Sequence, residues 1–298
     1  MKSWALPAAA IVALEYAAAL SIGYRVGFHY SIPFGSYLVL GLTVATIGFW
    51  LIIAARLVRR DFAKSLPWGF VAGSILVALQ MAVLNWTKIM LPIAVGFWAD
   101  APLAEADQLV FGTDAWRVLQ PPFAFLLPSI DVAYMTWAPL KFAVLLFLVA
   151  MPETPLKSGS LLSYFMIMLT GAIGQYALPS AGPLFYQDIP LQPWVAEGKA
   201  YLWQDYLRGG GNIGTGISAM PSIHVAIALW MAIVLRLHLP RLAPAGLIYF
   251  ALIFIGSVVL GWHYAMDAFA GAGVTLLAFA ATRQAGRFTA PKHVTVSA

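Results

Sequence analysis

The chain has 298 residues, of which 61% are hydrophobic and only 10% charged, and it contains no cysteine. A soluble domain averages about 45–50% apolar and about 25% charged residues, so this composition excludes a soluble protein and predicts an all-α, polytopic membrane helical bundle. The lack of cysteine excludes disulfides, thiolate catalysis and cysteine-bound zinc. The net charge is +5, but the basic residues form no dense run along the chain, and we therefore predict no nucleic-acid partner.

Eight segments are apolar enough to cross a bilayer, and each approaches the roughly 20 residues that a crossing requires. We predict that the first two form an added N-terminal hairpin in residues 1–60. The other six would form a core in residues 61–285, followed by a cytoplasmic tail, 286–298. The first segment lacks a small-residue cleavage site, so we expect a retained helix and not a removed signal peptide. The predicted spans are 4–23, 34–58, 68–92, 124–150, 160–178, 220–237, 243–262 and 264–283.

Lysine and arginine residues set the predicted orientation. With the N-terminus in the cytoplasm, 11 of them lie on the cytoplasmic side and 4 on the external side, as the positive-inside rule requires. We therefore expect a bacterial inner-membrane protein whose polar motifs face the periplasm. Lys88 and Lys141 fall within spans. The cytoplasmic set is Lys2, Arg56, Arg59, Arg60, Lys64, Lys157, Arg236, Arg241, Arg283, Arg287 and Lys292, and the external set is Arg25, Arg117, Lys199 and Arg208.

Two long external segments separate the spans. The first, 93–123, mixes polar and apolar residues with tryptophan and phenylalanine, which predicts short helices that lie on the membrane surface as a collar. Within it, Thr113 and Asp114 are typical of a helix start. The second, 179–219, ends in a glycine-rich run, 209–216, whose glycines allow close approach to a ligand or the hinging of a lid. The alternative is a plain flexible connector.

The first polar motif, Ala219–Ala226, follows that glycine-rich run directly. We predict Pro221 as the first residue of a helix, where its missing N–H costs nothing. Ser222 and Ile223 would then present free backbone N–H groups, and a helix N-terminus with open amides is an anion site. The Ser222 hydroxyl adds one donor, and His224 lies within reach of an anion bound there.

The second motif places His263 and Asp267 four residues apart, so that on a helix they share one face. A carboxylate that holds one imidazole nitrogen leaves the other nitrogen as a nucleophile or base. The alternative is a structural His–Asp pair, but ionisable groups at membrane depth are costly and favour a functional reading. Two histidines and one carboxylate are a thin ligand set, and we predict no metal site and no cofactor.

These motifs carry a resemblance to a known family. Pro221–His224, followed by His263–Asp267 on a later helix, resembles the type-2 phosphatidic acid phosphatase superfamily, whose core has six membrane helices. The usual signatures of that superfamily are Lys-x6-Arg-Pro, Pro-Ser-Gly-His and Ser-Arg-x5-His-x3-Asp. Here Ile223 replaces the glycine, Ser257 stands at the arginine position, and Leu178–Pro183 stands at the first signature. These departures resemble the inositolphosphotransferase branch, which includes inositol phosphorylceramide synthase.

The resemblance, which covers roughly Asp107 to Gly273, implies the roles of single residues and makes 61–285 the catalytic core. His263 would be the nucleophile that forms a phosphohistidine, and Asp267 would orient it. His224 would protonate the leaving group and later act as the base for the acceptor. The implied partners are a phospholipid donor and a lipid acceptor in the bilayer. The candidate phosphate-binding residues are Ser222, Ile223, Gly182, Pro183 and Tyr264.

The arginine positions of the superfamily signatures are not occupied by arginine here, and this affects which substrate we predict. A phosphate monoester is nearly a dianion at neutral pH, and its site would need several charge-assisted donors, whereas a lipid phosphodiester carries one charge. We therefore predict transfer of a phosphoinositol-like head group from a phospholipid to a lipid hydroxyl. The alternatives are a lipid phosphate phosphatase, which uses water, and a non-catalytic lipid-binding protein. Lys88, Lys141, Lys199 or Arg208 could restore charge, or Lys141 could instead pair with Asp131.

Overall fold

The computed structural model describes residues 4–28, 34–58, 68–210 and 212–288. Within these residues the chain is helical and has no strand, which confirms the predicted all-α bundle. Six of the helices are long and apolar enough to cross a membrane, so this is an integral membrane protein. The predictions that lie outside the described residues concern the end of the tail, 289–298, and the cations Lys2, Arg59, Arg60, Lys64 and Lys292.

Most predicted spans coincide with helices, and their ends differ by the few residues expected of boundaries read from sequence. The largest extensions are at the start of the fifth predicted span and at the end of the last one, where polar residues continue the helix. The described helices are α1 (Ala5–Arg25), α2 (Phe34–Val58), α3 (Trp68–Ala94), α4 (Asp100–Phe111), α5 (Ala115–Leu119), α6 (Leu127–Met135), α7 (Trp137–Ala150), α8 (Pro155–Ala177), α9 (Pro183–Tyr186), α10 (Pro193–Leu207), α11 (Ile223–His238), α12 (Ala243–Val259) and α13 (Ala265–Phe288).

Two predicted spans differ from a straight crossing. The span at 124–150 is broken into α6 and α7, which are bent by 42° relative to each other. If this pair is counted as one crossing, the described residues contain seven candidate membrane spans. The span at 220–237 becomes α11, which has only 16 residues. It is shorter than the roughly 20 residues of a straight crossing. The reason is that the chain before Ile223 folds into loops and does not continue the helix.

Helix α11 is the centre of the core and contacts α7, α8, α12 and α13. Its Trp230 is fully buried, and the indole N–H donates to the Ser160 carbonyl at 3.0 Å and the Ser163 hydroxyl at 3.2 Å on α8. Small residues let the neighbours approach closely. A Cβ on Gly171 of α8 would clash with the Ile223 side chain, and one on Gly271 of α13 would clash with backbone of the α11 start. This packing fixes where α11 begins.

Helix α1 is joined to α3 by buried polar contacts. The Gln80 side-chain amide on α3 donates to the Glu15 carboxyl on α1 at 3.1 Å. The hydroxyl of Tyr16 donates to the Leu79 carbonyl at 3.0 Å. Polar groups in hydrocarbon need such partners. Helix α1 therefore has a specific docking site on α3, and α2 packs against the same helix.

The external segments contain more helix than the sequence indicated. The short helices expected in 93–123 are present as α4 and α5, and Asp114 occupies the N-cap position of α5, as predicted. The second segment contains the 15-residue helix α10, which the sequence analysis did not identify. Its start at Pro193 is a helix-start signal.

The glycine-rich run, 209–216, packs against α2 and α3. The Asn85 side-chain amide on α3 donates to the Asn212 carbonyl at 3.1 Å, and the Gly214 N–H donates to the Tyr37 hydroxyl on α2 at 2.9 Å. Gly216 has a φ of +92°, and a Cβ there would lie 2.6 Å from the Cβ of Lys88. Helix packing therefore explains these glycines.

Candidate active site

Three chain segments meet at the end of the bundle where α11 and α13 begin. The Ala219 N–H donates to the Ser180 carbonyl at 2.9 Å, and the Met220 N–H donates to the Ser180 hydroxyl at 3.1 Å. The Leu184 N–H donates to the Gly261 carbonyl at 2.8 Å. The loop before α9 is thus hydrogen-bonded to the loops before α11 and α13, and it holds both motif loops together.

Gly182 and Pro183 lie at this junction. Gly182 has a φ of +94°, and a Cβ there would lie 2.6 Å from the Trp262 carbonyl oxygen. The position therefore requires glycine, both for its backbone conformation and for the close approach of the chain next to His263. Pro183 is buried and is the first residue of α9, where its missing N–H leaves no donor unpaired.

The structure brings His224, His263 and Asp267 together. Nδ1 of His224 lies 3.3 Å from Nε2 of His263. Nδ1 of His263 lies 3.6 Å from Oδ2 of Asp267, slightly beyond hydrogen-bond length. His263 is 4% exposed, Asp267 is fully buried, and His224 is half-buried. The three side chains therefore form a row in which one imidazole faces the carboxylate and the other imidazole.

Asp267 also joins the starts of the two helices. Its Oδ2 accepts the Tyr264 N–H at 2.9 Å, and its backbone carbonyl accepts the Ser222 N–H at 2.9 Å. The other carboxylate oxygen, Oδ1, is buried and has no hydrogen-bond partner among the described residues. Asp267 thus fixes the position of its own motif relative to the first motif.

The prediction of two free amides at Ser222 and Ile223 is wrong for Ser222. The helix begins at Ile223, two residues after the predicted start at Pro221, and Ser222 is its N-cap. The Ser222 hydroxyl accepts the Val225 N–H at 3.3 Å, and its own N–H is bound to Asp267. Within the described residues, the amides left open at this helix end are those of Ile223 and His224. The Ile223 side chain packs against α8.

The break between α6 and α7 places two aromatic rings around His224. The imidazole centroid lies 4.5 Å from the Trp137 ring and 5.1 Å from the Tyr134 ring. The Trp137 indole N–H donates to the His224 backbone carbonyl at 3.0 Å. Tyr134 and Trp137 are three residues apart, on either side of the break at Thr136, and together they enclose the His224 ring.

Asp100, which the sequence analysis did not single out, holds the loop around Gly182. Its carboxylate accepts the N–H groups of Ala181 and Gly182, each at 2.9 Å, and the Tyr264 hydroxyl at 3.1 Å. Burial raises the pKa of Asp100, and the three hydrogen bonds oppose that rise. Burial likewise raises the pKa of the Tyr264 phenol, which keeps it protonated as a donor. The Tyr264 hydroxyl is thus bound to Asp100, and the residue is only 1% exposed.

Asp107 caps α13 from the outside. Its carboxylate accepts the Ala265 N–H at 2.9 Å and the Met266 N–H at 3.3 Å. Burial raises the pKa of Asp107, and these two backbone hydrogen bonds lower it.

The sequence contained a pattern that could have identified both Asp100 and Asp107 as buried residues. Asp100 and Asp107 are seven residues apart and share the buried face of α4 with Leu103 and Ala104, the spacing of an inward helix stripe.

The cations proposed from the sequence occupy different places. Lys141 is 1% exposed, and its Nζ lies 4.4 Å from the Trp137 ring centroid. The suggested pair of Lys141 with Asp131 does not form, because the Asp131 carboxylate accepts the Trp194 N–H at the start of α10, at 3.0 Å. Lys88 lies on α3 and is half-buried. Of the two external candidates, Lys199 lies over the Phe185 ring at 5.9 Å and Arg208 is exposed at the end of α10.

The fold and the buried polar cluster at its end define a membrane protein with a site built between helix ends. Residues 109–281, more than half of the chain, match the family model of the PAP2 superfamily, and the chain therefore belongs to this superfamily. It is a membrane enzyme of the phosphatase and phosphotransferase type that acts on lipid phosphates. No curated protein and no solved structure gives a match to the chain.

The match covers both histidine motifs and begins after Asp100 and Asp107. It confirms the predicted superfamily and favours an enzyme over a non-catalytic lipid-binding protein. It does not distinguish among the branches of the superfamily, and the choice between group transfer and hydrolysis has to be argued from the site.

Proposed function

We propose that this protein transfers a phospho-head group, phosphoinositol-like, from a phospholipid to a lipid hydroxyl through a phosphohistidine. The observation that carries the proposal is the row of three side chains. One nitrogen of His263 faces the Asp267 carboxylate, and the other, Nε2, lies 3.3 Å from His224. A carboxylate at Nδ1 favours the tautomer whose Nε2 lone pair is free, which is the form a nucleophile needs.

In the first step, Nε2 of His263 attacks the phosphorus atom of the donor lipid. A bond forms between nitrogen and phosphorus, and the bond from phosphorus to the diacylglycerol oxygen breaks. His224 donates a proton to that oxygen, so that neutral diacylglycerol leaves. The two nitrogens lie 3.3 Å apart, so the His224 ring has to turn away from His263 to admit the phosphate. The open amides of Ile223 and His224 at the α11 start are then available to its oxygens.

In the second step, His224 accepts the proton of the hydroxyl of the acceptor lipid. The hydroxyl oxygen attacks phosphorus, the bond from phosphorus to nitrogen breaks, and His263 is restored. The product is again a phosphodiester, and the protonation states of both histidines return to those at the start. Using one residue as acid and then as base follows from the chemistry of a two-step transfer.

The Ser257 position supports a diester substrate. This residue stands where the superfamily signature has an arginine, is fully buried, and donates its hydroxyl to the Phe254 carbonyl at 2.8 Å. Its carbonyl accepts the His263 N–H at 2.9 Å. Ser257 therefore holds the loop before α13 in place and contributes no positive charge. A site without that charge suits a phosphate with a single negative charge better than one with two.

A second candidate function, hydrolysis of a lipid phosphate monoester with water as the acceptor, has one observation in its favour. Lys141 lies 4.4 Å from the Trp137 ring, which contacts His224, and Lys88 lies on the adjoining helix α3. Two lysines could balance the second charge of a monoester, and water would then replace the lipid hydroxyl in the second step.

We further propose that the site faces the periplasm of a bacterial inner membrane. The support is the excess of lysine and arginine at the opposite ends of the spans. Lys157, which belongs to this set of cations, is buried and not free at the surface. It is only 2% exposed, and its ammonium group donates to the Val149 and Met151 carbonyls at the end of α7. We also retain the division into a hairpin, 1–60, and a catalytic core, 61–285.

The deciding experiment uses the purified protein in vesicles that contain phosphatidylinositol with a radiolabelled inositol and either ceramide or diacylglycerol. We expect the label to move into a new lipid with wild-type protein and to stay in the donor with His263→Ala. Release of inorganic phosphate from phosphatidate, without label transfer, would favour the hydrolytic candidate. Equal turnover by wild-type protein and His263→Ala would refute the proposed nucleophile. His238→Ala is the matched control, because His238 contacts Ser160 at the other end of α11.

A further inference from the structure

Lys88 and Lys141 lie on two helices that contact each other, α3 and α7, and the described residues contain no acid paired with either amine. The Lys141 amine reaches Met81, which lies seven residues before Lys88 on α3. The salt bridges found within the described residues involve other groups, namely Arg117, Lys157 and His263 with nearby acids. The acid suggested from the sequence, Asp131, is already bound to the start of α10.

The protein contacts of Lys141 are weak for a buried cation. Its Nζ lies 4.0 Å from the Met81 sulfur and over the faces of Trp137 and Phe142, at 4.4 Å and 4.6 Å. None of these groups carries a full negative charge. Buried charges in proteins are normally paired, and two like charges side by side at membrane depth are especially unfavourable. An anion is therefore the missing component.

Both lysines are linked to the row of histidines. Trp137 lies between Lys141 and His224, in ring contact with both, at 4.4 Å and 4.5 Å. On the other side, Gly216 packs directly on Lys88 and leads within a few residues to the motif at Ser222. The amines thus belong to the wall of the candidate active site that α3 and α7 form.

We propose that Lys88 and Lys141 form an oxyanion subsite that binds phosphate oxygens of the lipid substrate beside His224. The inference rests on the part of the proposed function that both candidates share, a lipid phosphate held between the two histidines, and it adds the source of positive charge that Ser257 and the 178–183 loop do not supply. The two lysines of this subsite lie on helices α3 and α7 and not in the loops that carry the histidine motifs. One of its two members, Lys88, precedes the region 109–281 that matches the superfamily.

The first test is binding of inorganic phosphate to the purified protein in detergent, measured by thermal unfolding at constant ionic strength. We expect phosphate to stabilise the wild-type protein, and Lys88→Met and Lys141→Met each to weaken its binding about tenfold or more, since each removes a charge-assisted contact. Lys199→Met is the matched control, because Lys199 lies on α10 over Phe185, and it should bind as the wild type does. Equal phosphate affinity in all four proteins would overturn the proposal.

Thermal unfolding without phosphate gives a second outcome. Methionine keeps the apolar length of lysine and removes an unpaired buried charge, so both variants should be as stable as the wild type or more stable. If either variant unfolds earlier or does not fold, the lysine stabilises the empty protein through a protein partner, and that result would also overturn the proposal. Lys141→Arg, which keeps the charge, should retain phosphate binding.

Measurements with lipids distinguish a failure of this inference from a failure of the proposed function. Phosphatidylinositol and phosphatidate are compared as competitors of phosphate, which shows whether a diester or a monoester uses the subsite. His263→Ala should still bind phosphate although it cannot transfer a head group. If phosphate binding depends on the lysines but the wild type transfers no head group, the subsite stands and the proposed transfer fails. If head-group transfer occurs and both lysine variants keep the wild-type KM, the transfer stands and the subsite fails.

Discussion

The two helices that carry the histidine motifs begin in different ways. Helix α11 is capped by its own motif, because the Ser222 hydroxyl accepts the Val225 N–H three residues later. Helix α13 is capped by Asp107, which lies 158 residues before Ala265 in the chain. A local cap forms wherever the helix forms, whereas the cap of α13 exists only when α4 is docked over the bundle.

This difference gives α4 a role beyond covering the membrane surface. The helix holds the start of α13 through Asp107 and the loop around Gly182 through Asp100. His263 lies two residues before α13, between these two anchors. The position of His263 relative to His224 therefore depends on the separate helix α4, while the position of His224 on its own helix depends on a cap within the motif.

The largest effect is expected for Asp267→Asn, which removes the charge beside His263 but keeps the backbone carbonyl that binds Ser222. The amide would not favour the tautomer with a free Nε2, and turnover should fall about 10²–10⁴-fold, the range for a positioned acid–base group. The measurement is head-group transfer or phosphate release at saturating lipid. Asp188→Asn, at an exposed acid, is the matched control. Wild-type turnover in Asp267→Asn would show that the carboxylate is only structural.

Asp107→Ala tests the remote cap. It leaves the Ala265 and Met266 N–H groups without their acceptor, which should lower the free energy of unfolding by about 1–3 kcal/mol. Because His263 adjoins this helix end, kcat should fall as well, with a smaller effect than in Asp267→Asn. Thermal unfolding in detergent and turnover are measured on the same sample, and Asp107→Asn should recover part of both. Loss of stability with unchanged kcat would show that α4 supports the fold alone.

The smallest effect is expected at the local caps. Ser222→Ala and Thr154→Ala each remove one side-chain cap, at the starts of α11 and α8, and each should cost about 1 kcal/mol of stability. Only the Ser222 variant should also lower turnover, because His224 follows it in the first turn. Thermal unfolding and steady-state kinetics of the pair test this expectation. Equal turnover in the two variants would contradict a link between the α11 cap and the site.

Sequence patterns predicted the helices better than the contacts among them. The spans were predictable because apolar length in a membrane chain leaves few alternatives, and Asp114 was predictable as the residue that precedes a short helix. The bend between α6 and α7 was not predicted, although the sequence contains its signal: Pro139, in the first turn of α7, has no N–H to donate to the Met135 carbonyl and so favours a break near Thr136. Helix α10 was missed because its polar and aromatic residues lack a long apolar stripe.

The sequence by itself determined an all-α membrane protein with two polar motifs at helix starts, because helix period, apolar length and capping are local properties. It also predicted that His263 and Asp267 would share one helix face, which is wrong because α13 begins at Ala265 and His263 lies in the turn before it. Only the tertiary structure decided that His224 meets His263, that Asp107 caps α13, and that Lys141 lies against Trp137 beside His224. These contacts join residues far apart in the chain, and such contacts depend on how the helices pack and not on the pattern within any one of them.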